Sequence, residues 1–256
     1  MTIEAHPAPL LQPRQTWDAP AQSSRILARQ VAEVHLCARP RACAAGFADQ
    51  ARSMYEALIA ELRASDGAPH HIVSEKVFLQ GIETHAHTLL CTRAEVLRLG
   101  SVDSQPMPAL TLVQQPPARP GQVCEVQALA MIPARGETLA SRNIAGLPAG
   151  CSGRILEMDG LQHIFLSGIT GGVPGDKIDF ERQAAAMFRN ADSHLGRAGF
   201  AFRDVVRTWI YVTDIDSEYG LLNLKRREFY LEHGIEPAPA STGIKGTIHL
   251  TDRACG

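Results

Sequence analysis

β-Branched and aromatic residues crowd the stretch VVRTWIYVT from Val205 to Thr213, a composition that suits a strand half buried in a sheet. Asp214-Ile-Asp216-Ser217 then offers short polar side chains of the kind that cap a helix. Tyr219, Leu222, Arg226, Phe229 and Tyr230 follow at helical spacing, so one stripe faces a sheet. Gly234 is placed to end that helix, and Pro237 and Pro239 prevent its restarting. Upstream, the same reading gives a strand over Ile26–Leu36 and a helix over 47–64 with the stripe Phe47, Ala51, Met54, Tyr55, Leu58 and Leu62. It continues with a strand over His71–Leu79, a helix over Glu83–Leu99 closed by Gly100, and two strands at Ala109–Gln114 and Val123–Ile132. Asp159-Gly160 sits between the apolar runs Arg154–Met158 and Leu161–Ile169, a strong two-residue hairpin signal. TGGVPGD reads as a loop, and a helix over 179–198 carries Phe180, Gln183, Ala184, Met187, Phe188, Ala191 and Leu195 on one face, with Gly199 at its end.

The pattern occurs twice. A shift of 133 positions lays Phe47 on Phe180, Gln50 on Gln183, Met54 on Met187, Val73 on Val206 and Phe78 on Tyr211. Pro108-Ala109 falls near Pro239-Ala240 with a slip of two residues. Matches of one type, in one order of elements, predict a tandem duplication. The expected organisation is a loose arm over 1–23, a first copy over 24–132, a linker over 133–150 and a second copy over 151–256. The second copy looks unfinished. In the first, 22 positions separate Pro108 from Ala130, whereas only 17 residues follow Pro239. Its last strand is expected to be missing or very short.

Composition narrows the function classes. The chain has 256 residues and a formal net charge of −2, which gives no basis for electrostatic capture of nucleic acid or an anionic membrane. No apolar run approaches a membrane span, and the N-terminus lacks the pattern of a secretory signal. Six cysteines at 37, 43, 91, 124, 151 and 255 lack paired metal-site spacing, so the expectation is a cytoplasmic protein with reduced thiols.

LPAG at 147–150, FLSG at 165–168, FERQAAAMFRNADSHLGRAG at 180–199, DVVRTWIYVTDIDSEYGLLN at 204–223 and PAST at 239–242 together resemble the Rid (YjgF-like) family of reactive-intermediate deaminases. MPALTLV and CEVQALA make the first copy resemble the same family more weakly. The resemblance implies an α+β protein made of two tandem Rid-like (chorismate-mutase-like) domains, each a mixed β-sheet backed by two helices. It also implies trimeric or pseudo-trimeric self-association, with ligand clefts between sheets. The implied activity is hydrolysis of a small imine, enamine or related conjugated metabolite. Water is the co-substrate and no cofactor is needed. Two alternatives stay open: a non-catalytic ligand-binding or assembly protein on this fold, and a chorismatase-like hydrolase.

In the family, an Arg directly after the Pro-Ala of the fourth strand holds the substrate carboxylate, and a Glu on the closing strand handles the attacking water. Here Leu110 and Ser241 stand where that Arg would be, whereas Glu125 matches the Glu. The family's Ser and its Asn match Ser167, followed by Gly168, and Asn223; the first copy has Leu90 for the Asn. The candidate site is therefore Glu125 as the catalytic group, with Ser167, Gly168, Asn223, Ser241 and Thr242 binding substrate. Alternation along 123–132 puts Glu125 on the face away from the helices, where desolvation would raise its pKa toward a useful value. Without the strand Arg, 2-imino acids are expected to be poor substrates. Each residue also has a structural reading: a polar residue on a solvated sheet face for Glu125, and turn or helix hydrogen bonds for the hydroxyls and Asn223. His85 and His87 lie two apart on a helix and point away from each other, so a shared metal is not expected. Cys151 and Ser152 in AGCSG do not form a nucleophile elbow. Trp17 and Trp209 are read as packing residues, and no dinucleotide motif or metal cluster is found.

Overall fold

A computed structural model describes residues 19–27, 30–41, 46–97, 106–158, 160–172, 179–248 and 254–256. The arm over 1–18 with Trp17, the helix end at Gly100, Asp159 of the hairpin turn and most of the TGGVPGD loop lie outside the described residues.

The fold is α+β; the described residues form four α-helices, one mixed six-stranded sheet and two smaller sheets. In the first half, β1 (Ala21–Leu27) and β2 (Val31–Ala38) precede α1 (Phe47–Ala64), β3 (Ile72–Leu79), α2 (Ile82–Leu97), β4 (Ala109–Gln114) and β5 (Cys124–Pro133). In the second, β6 (Ala140–Asn143), β7 (Ser152–Met158) and β8 (Leu161–Ser167) precede α3 (Phe180–Arg197), β9 (Arg207–Val212), α4 (Ile215–Glu232), β10 (Ala240–Lys245) and β11 (Thr247–Ile248). The repeat in the sequence is also a repeat of elements. Helices α1 and α3 begin and end 133 positions apart, and α2 and α4 begin 133 apart. Strands β1 and β7, and likewise β4 and β10, are offset by 131 at both ends.

The first sheet runs β1-β2-β5-β3-β4-β11. Along β5 the even-numbered residues Cys124, Val126, Ala128, Ala130 and Ile132 pack against the α1/α2 side with Met54, Tyr55, Leu58 and Leu62. Small side chains on that face let the helices approach closely. The second half uses an aromatic cluster instead, with Phe188 stacked on Phe229 at 5.6 Å and Phe202 edge-on to Phe229 at 4.9 Å. Its strands fall into two groups, β6-β7-β8 and β10-β9. In the first half β5 joins β2 to β3. Among the described residues of the second half nothing joins β8 to β9. There, Ala254–Gly256 runs antiparallel to β9: Val212 bridges Cys255, and Tyr211 and Gly256 exchange both backbone hydrogen bonds at 2.8 and 3.1 Å. This is the register of Leu79 with Cys124 and Phe78 with Glu125, so Cys255 and Gly256 take the place beside β9 that the start of β5 takes beside β3.

Three expectations need correction. The single strand over Ile26–Leu36 is a hairpin, β1 paired antiparallel with β2. Strand β1 lies at the sheet edge with Leu27 66% exposed, so it never acquired the apolar alternation that marks a strand. The linker over 133–150 contains β6, paired antiparallel with β7. Its sequence ASRN carries no hydrophobic signal because its residues stay largely exposed. The strand at 205–213 is shorter, since Phe202–Asp204 forms a 3-10 turn before Arg207.

The halves are stitched at Arg154 on β7, which is 3% exposed. Its guanidinium donates to the carbonyls of Ile72, His70 and Pro106 and to Ser141 Oγ. Among the described residues no carboxylate neutralises it, and burial pulls its pKa down to about 10. A guanidinium held by backbone carbonyls ties β7 to the entry of β3.

Candidate active site

The two halves place an arginine at the same helical position. Arg93 on α2 and Arg226 on α4 are 133 positions apart, and each sits three residues after the position that carries Leu90 or Asn223. Their surroundings differ. In the first half, Glu75 on β3 points to the helix side and is 1% exposed. Arg93 Nε donates to its Oε2 at 2.9 Å and Nη2 to its Oε1 at 3.2 Å. Tyr55 Oη also donates to Glu75 Oε2, at 3.4 Å. This is a bidentate buried pair, closed to solvent.

In the second half the same shift puts Thr208 where Glu75 stands and Phe188 where Tyr55 stands. Among the described residues Arg226 has neutral oxygens as partners. Its Nη1 donates to Ser241 Oγ at 2.9 Å and its Nη2 to Asn223 Oδ1 at 2.7 Å. Thr208 Oγ1 donates to Ser241 Oγ at 2.9 Å. These residues sit beside a cleft of about 700 Å³ between α4 and β10, lined also by Tyr219, Arg227, Tyr230 and Glu236. The Tyr230 hydroxyl is buried with no hydrogen-bond partner. Burial raises its pKa, and the Arg226 charge works in the opposite sense.

The structure brings Asn223 and Ser241 together and leaves the other candidates elsewhere. Thr242 points to the opposite face of β10, where its Oγ1 accepts from Arg207 at 3.0 Å. Ser167 and Gly168 line a second, larger cleft of about 1050 Å³ between β8 and β9, in the gap where a closing strand would pair. Gly168 has φ +79, and a Cβ there would overlap the Gly150 carbonyl oxygen. The glycine is thus required by backbone packing. Cys151 donates to the Gly168 carbonyl at 3.1 Å, which gives that thiol a structural role in the same turn.

Glu125 is 9% exposed on the face of β5 away from the helices. It is one arm of an ion pair, because Arg39 Nε donates to its Oε2 at 2.8 Å and the Cys37 thiol reaches its Oε1 at 3.6 Å. It lines neither cleft. The expected lone, desolvated acid is therefore a carboxylate with a fixed cationic partner. Burial first, and then the Glu125 charge, push the Cys37 thiol up to about 11. At the register position of Glu125 the second half carries Gly256.

Among the described residues no group of three or more His, Cys, Asp or Glu could hold a metal, and no helix is long and apolar enough to cross a membrane. His85 stacks on Phe47 with ring centroids 4.0 Å apart, which accounts for it as packing. The five described cysteines are free thiols.

The Endoribonuclease L-PSP family model matches residues 159–247. A RutC family protein from Aquifex aeolicus (strain VF5) is 30% identical over 104 residues, which is 40% of this chain and 81% of the relative. The chain belongs to the Rid (RutC, YjgF-like) family. Among solved structures, RidA from the Antarctic bacterium Psychrobacter sp. PAMC 21119 is 24% identical, with a TM-score of 0.38 over 47% of this chain and 99% of that one. A putative translation initiation inhibitor from Salmonella typhimurium is 14% identical, with a TM-score of 0.40 over 48% and 97%. Each of these two structures covers about half of this chain, and the residues matched by the family model fall in the second half.

Arg226 was expected only as one position of a helical stripe, and Arg93, Glu75 and Arg39 carried no expectation. The repeat held the signal for two of them. Laid over one another, the halves put Arg on Arg and Glu75 on Thr208, a charge that has lost its partner.

Proposed function

We propose that the protein is a Rid-like hydrolase of two tandem domains, 24–132 and 151–256 joined by 133–150, and that it acts on a small carboxylate-bearing imine or enamine at the α4–β10 cleft. The observation that carries this reading is the buried pair Arg93–Glu75 set against Arg226, which bonds only Ser241 and Asn223 among the described residues. The first half fills its guanidinium with its own carboxylate. The second presents the same guanidinium to a cleft with two neutral partners. A planar fork of donors matches a carboxylate, and such charge-assisted bonds are about twice as strong as neutral ones. Arg226 then does from a helix what Leu110 and Ser241 cannot do from a strand, and carboxylated imines become the expected substrates. Asn223 and Ser241 hold the guanidinium in place, and Tyr230 offers the remaining hydroxyl.

In the reaction, water adds its oxygen to the imine carbon, the C–N bond breaks, and ammonia leaves with the transferred protons. The group that handles the water is Glu125. It lies outside the α4–β10 cleft of its own chain, so the complete site draws it from a neighbouring chain in a trimeric or pseudo-trimeric assembly. One observation favours a second reading. The Arg39–Glu125 pair at 2.8 Å occupies the carboxylate, as in a protein that binds the ligand without turning it over.

The test is ammonia release from imines generated in place from several amino acids, using Arg226→Met, Glu125→Gln and a mixture of the two. Each variant alone is expected to lose at least about thirtyfold in activity, and mixed oligomers to recover part of it. Full activity in Arg226→Met would remove the basis of the reading. Carboxylate binding that needs Arg226, without ammonia release, would select the binding protein.

A further inference from the structure

On the other face of the sheet, the larger cleft contains a cationic cluster that the α4–β10 reading does not use. Along β9, Ile210 and Val212 pack toward the helices, so by alternation Arg207 and Trp209 face away from them. There they meet Lys76 of β3, from the first half. Lys76 Nζ lies 3.3 Å from the centroid of the Trp209 ring, and the Arg207 guanidinium carbon lies 4.5 Å from the same centroid. Arg207 is oriented by Thr242, whose Oγ1 accepts from Nη2 at 3.0 Å. Lys76, Arg207, Trp209, Thr111 and Thr208 all line the cleft.

Two cations on one indole ring repel each other, and among the described residues no carboxylate is bonded to either. The register neighbours of Lys76 are Thr111 on β4 and Gln127 on β5, both neutral. The acidic residue lining the cleft, Asp204, turns its carboxylate to the Ala201 amide at 2.8 Å. Burial, and after it the Arg207 charge, pull the Lys76 amine down to about 8. A half-buried amine and an oriented guanidinium on one indole ring form a site that is relieved by a bound anion. The Trp209 ring supplies the apolar wall and Thr111 a hydroxyl.

We infer that Lys76, Arg207 and Trp209 form an anion-binding site between the two halves, suited to a compact dianion such as a phosphate monoester or a dicarboxylate. It lies on the opposite side of β9 and β10 from Arg226, so one chain carries two sites for negative charge with different chemistry. The α4–β10 cleft offers a single fork to one carboxylate. The inter-half cleft offers two separate cations, a pairing that favours two negative charges. Because Lys76 belongs to β3 and Arg207 to β9, an occupant would also bridge the halves.

Trp209 reports on the site directly. In a Trp17→Phe background it is the one remaining tryptophan of the chain, and its emission is followed during titration with inorganic phosphate and, separately, with succinate. The expected result is a saturable change with at least one of them. Lys76→Gln and Arg207→Gln should each weaken it by at least about tenfold, the range for losing one charged hydrogen-bond partner. Binding should weaken as the pH rises past 8, where Lys76 loses its proton, and Lys76→Arg should keep it at high pH. Arg226→Met should leave the titration unchanged, so failure here and failure of the α4–β10 reading are separable. Phosphate without succinate would identify a tetrahedral anion as the occupant, and the converse a dicarboxylate. No saturable change with either, or a change that Lys76→Gln does not weaken, overturns the inference.

Discussion

The two halves of this chain are built from the same elements in the same order, yet they keep their charges in different ways. The first half closes its sheet with β5 and neutralises Arg93 with Glu75, both almost fully removed from water. The second half leaves β8 and β9 apart and gives Arg226 only Ser241 and Asn223. One duplicated arginine has become core in one half and part of a cleft in the other. The surroundings differ at three aligned positions: Glu75 against Thr208, Tyr55 against Phe188 and Leu90 against Asn223. A buried guanidinium needs compensating partners, a carboxylate for Arg93 and backbone carbonyls for Arg154. Arg226 is only half-buried and keeps a side open to the cleft.

The strongest way to break this comparison is to remove both arginines in turn. Arg93→Met leaves Glu75 buried and unpaired, and should destabilise the protein by about 3–5 kcal/mol, the usual cost of breaking a buried pair. Arg226→Met removes a half-exposed side chain bonded to neutral groups and should stay within about 0.5 kcal/mol of the parent. Denaturant unfolding of the two variants measures the difference. Equal losses would mean that Arg226 is as structural as Arg93.

The next effect is on turnover. Arg226→Met should lower kcat/KM for carboxylated imines by about thirty- to a thousand-fold, corresponding to about 2–4 kcal/mol for a lost charge partner. An uncharged imine should lose far less. Substrate competition between the two kinds would expose the difference in one assay.

The duplication and the order of helices and strands were legible in the sequence because both cores repeat the same apolar spacing. Phe47 with Phe180 and Met54 with Met187 superpose at one offset, as their helices do. Strands β1 and β6 were not legible, since an edge strand with half-wet residues has no hydrophobic period. The site was half legible. Asn223 and Ser241 could be named from the family motif, and they do meet. Arg226 could not, because on a helical stripe it reads as one more position of the amphipathic pattern. Its meaning appears only when Thr208, Ser241 and Asn223 are seen around it. Glu125 was named for its strand position, but its partner Arg39 follows β2 and lies 86 positions away in the chain, a pairing that only the sheet reveals.

A smaller effect sharpens the seam between the halves. Burial, then His70 and Arg154, hold His71 down at about 4. Its folded pKa lies below the unfolded value of about 6.5, so the unfolded chain binds the extra proton between those values. Stability should therefore be full above about pH 6.5 and decline as the pH falls toward 4. His71→Gln should flatten that part of the stability–pH curve. An unchanged curve would mean that the decline comes from other groups.

The most direct measurement rebuilds the first half's solution in the second. Thr208→Glu places a carboxylate where Glu75 stands, within the reach of Arg226. Calorimetric titration with pyruvate, a small 2-keto acid of the product class, is run on the parent and on this variant, both carrying Lys76→Gln so that the inter-half cleft contributes no heat. The account predicts saturable binding to the parent and a loss of at least about thirtyfold in Thr208→Glu, with the fold retained, because the internal carboxylate takes the guanidinium. Equal binding in both proteins would contradict it, as would no binding in the parent.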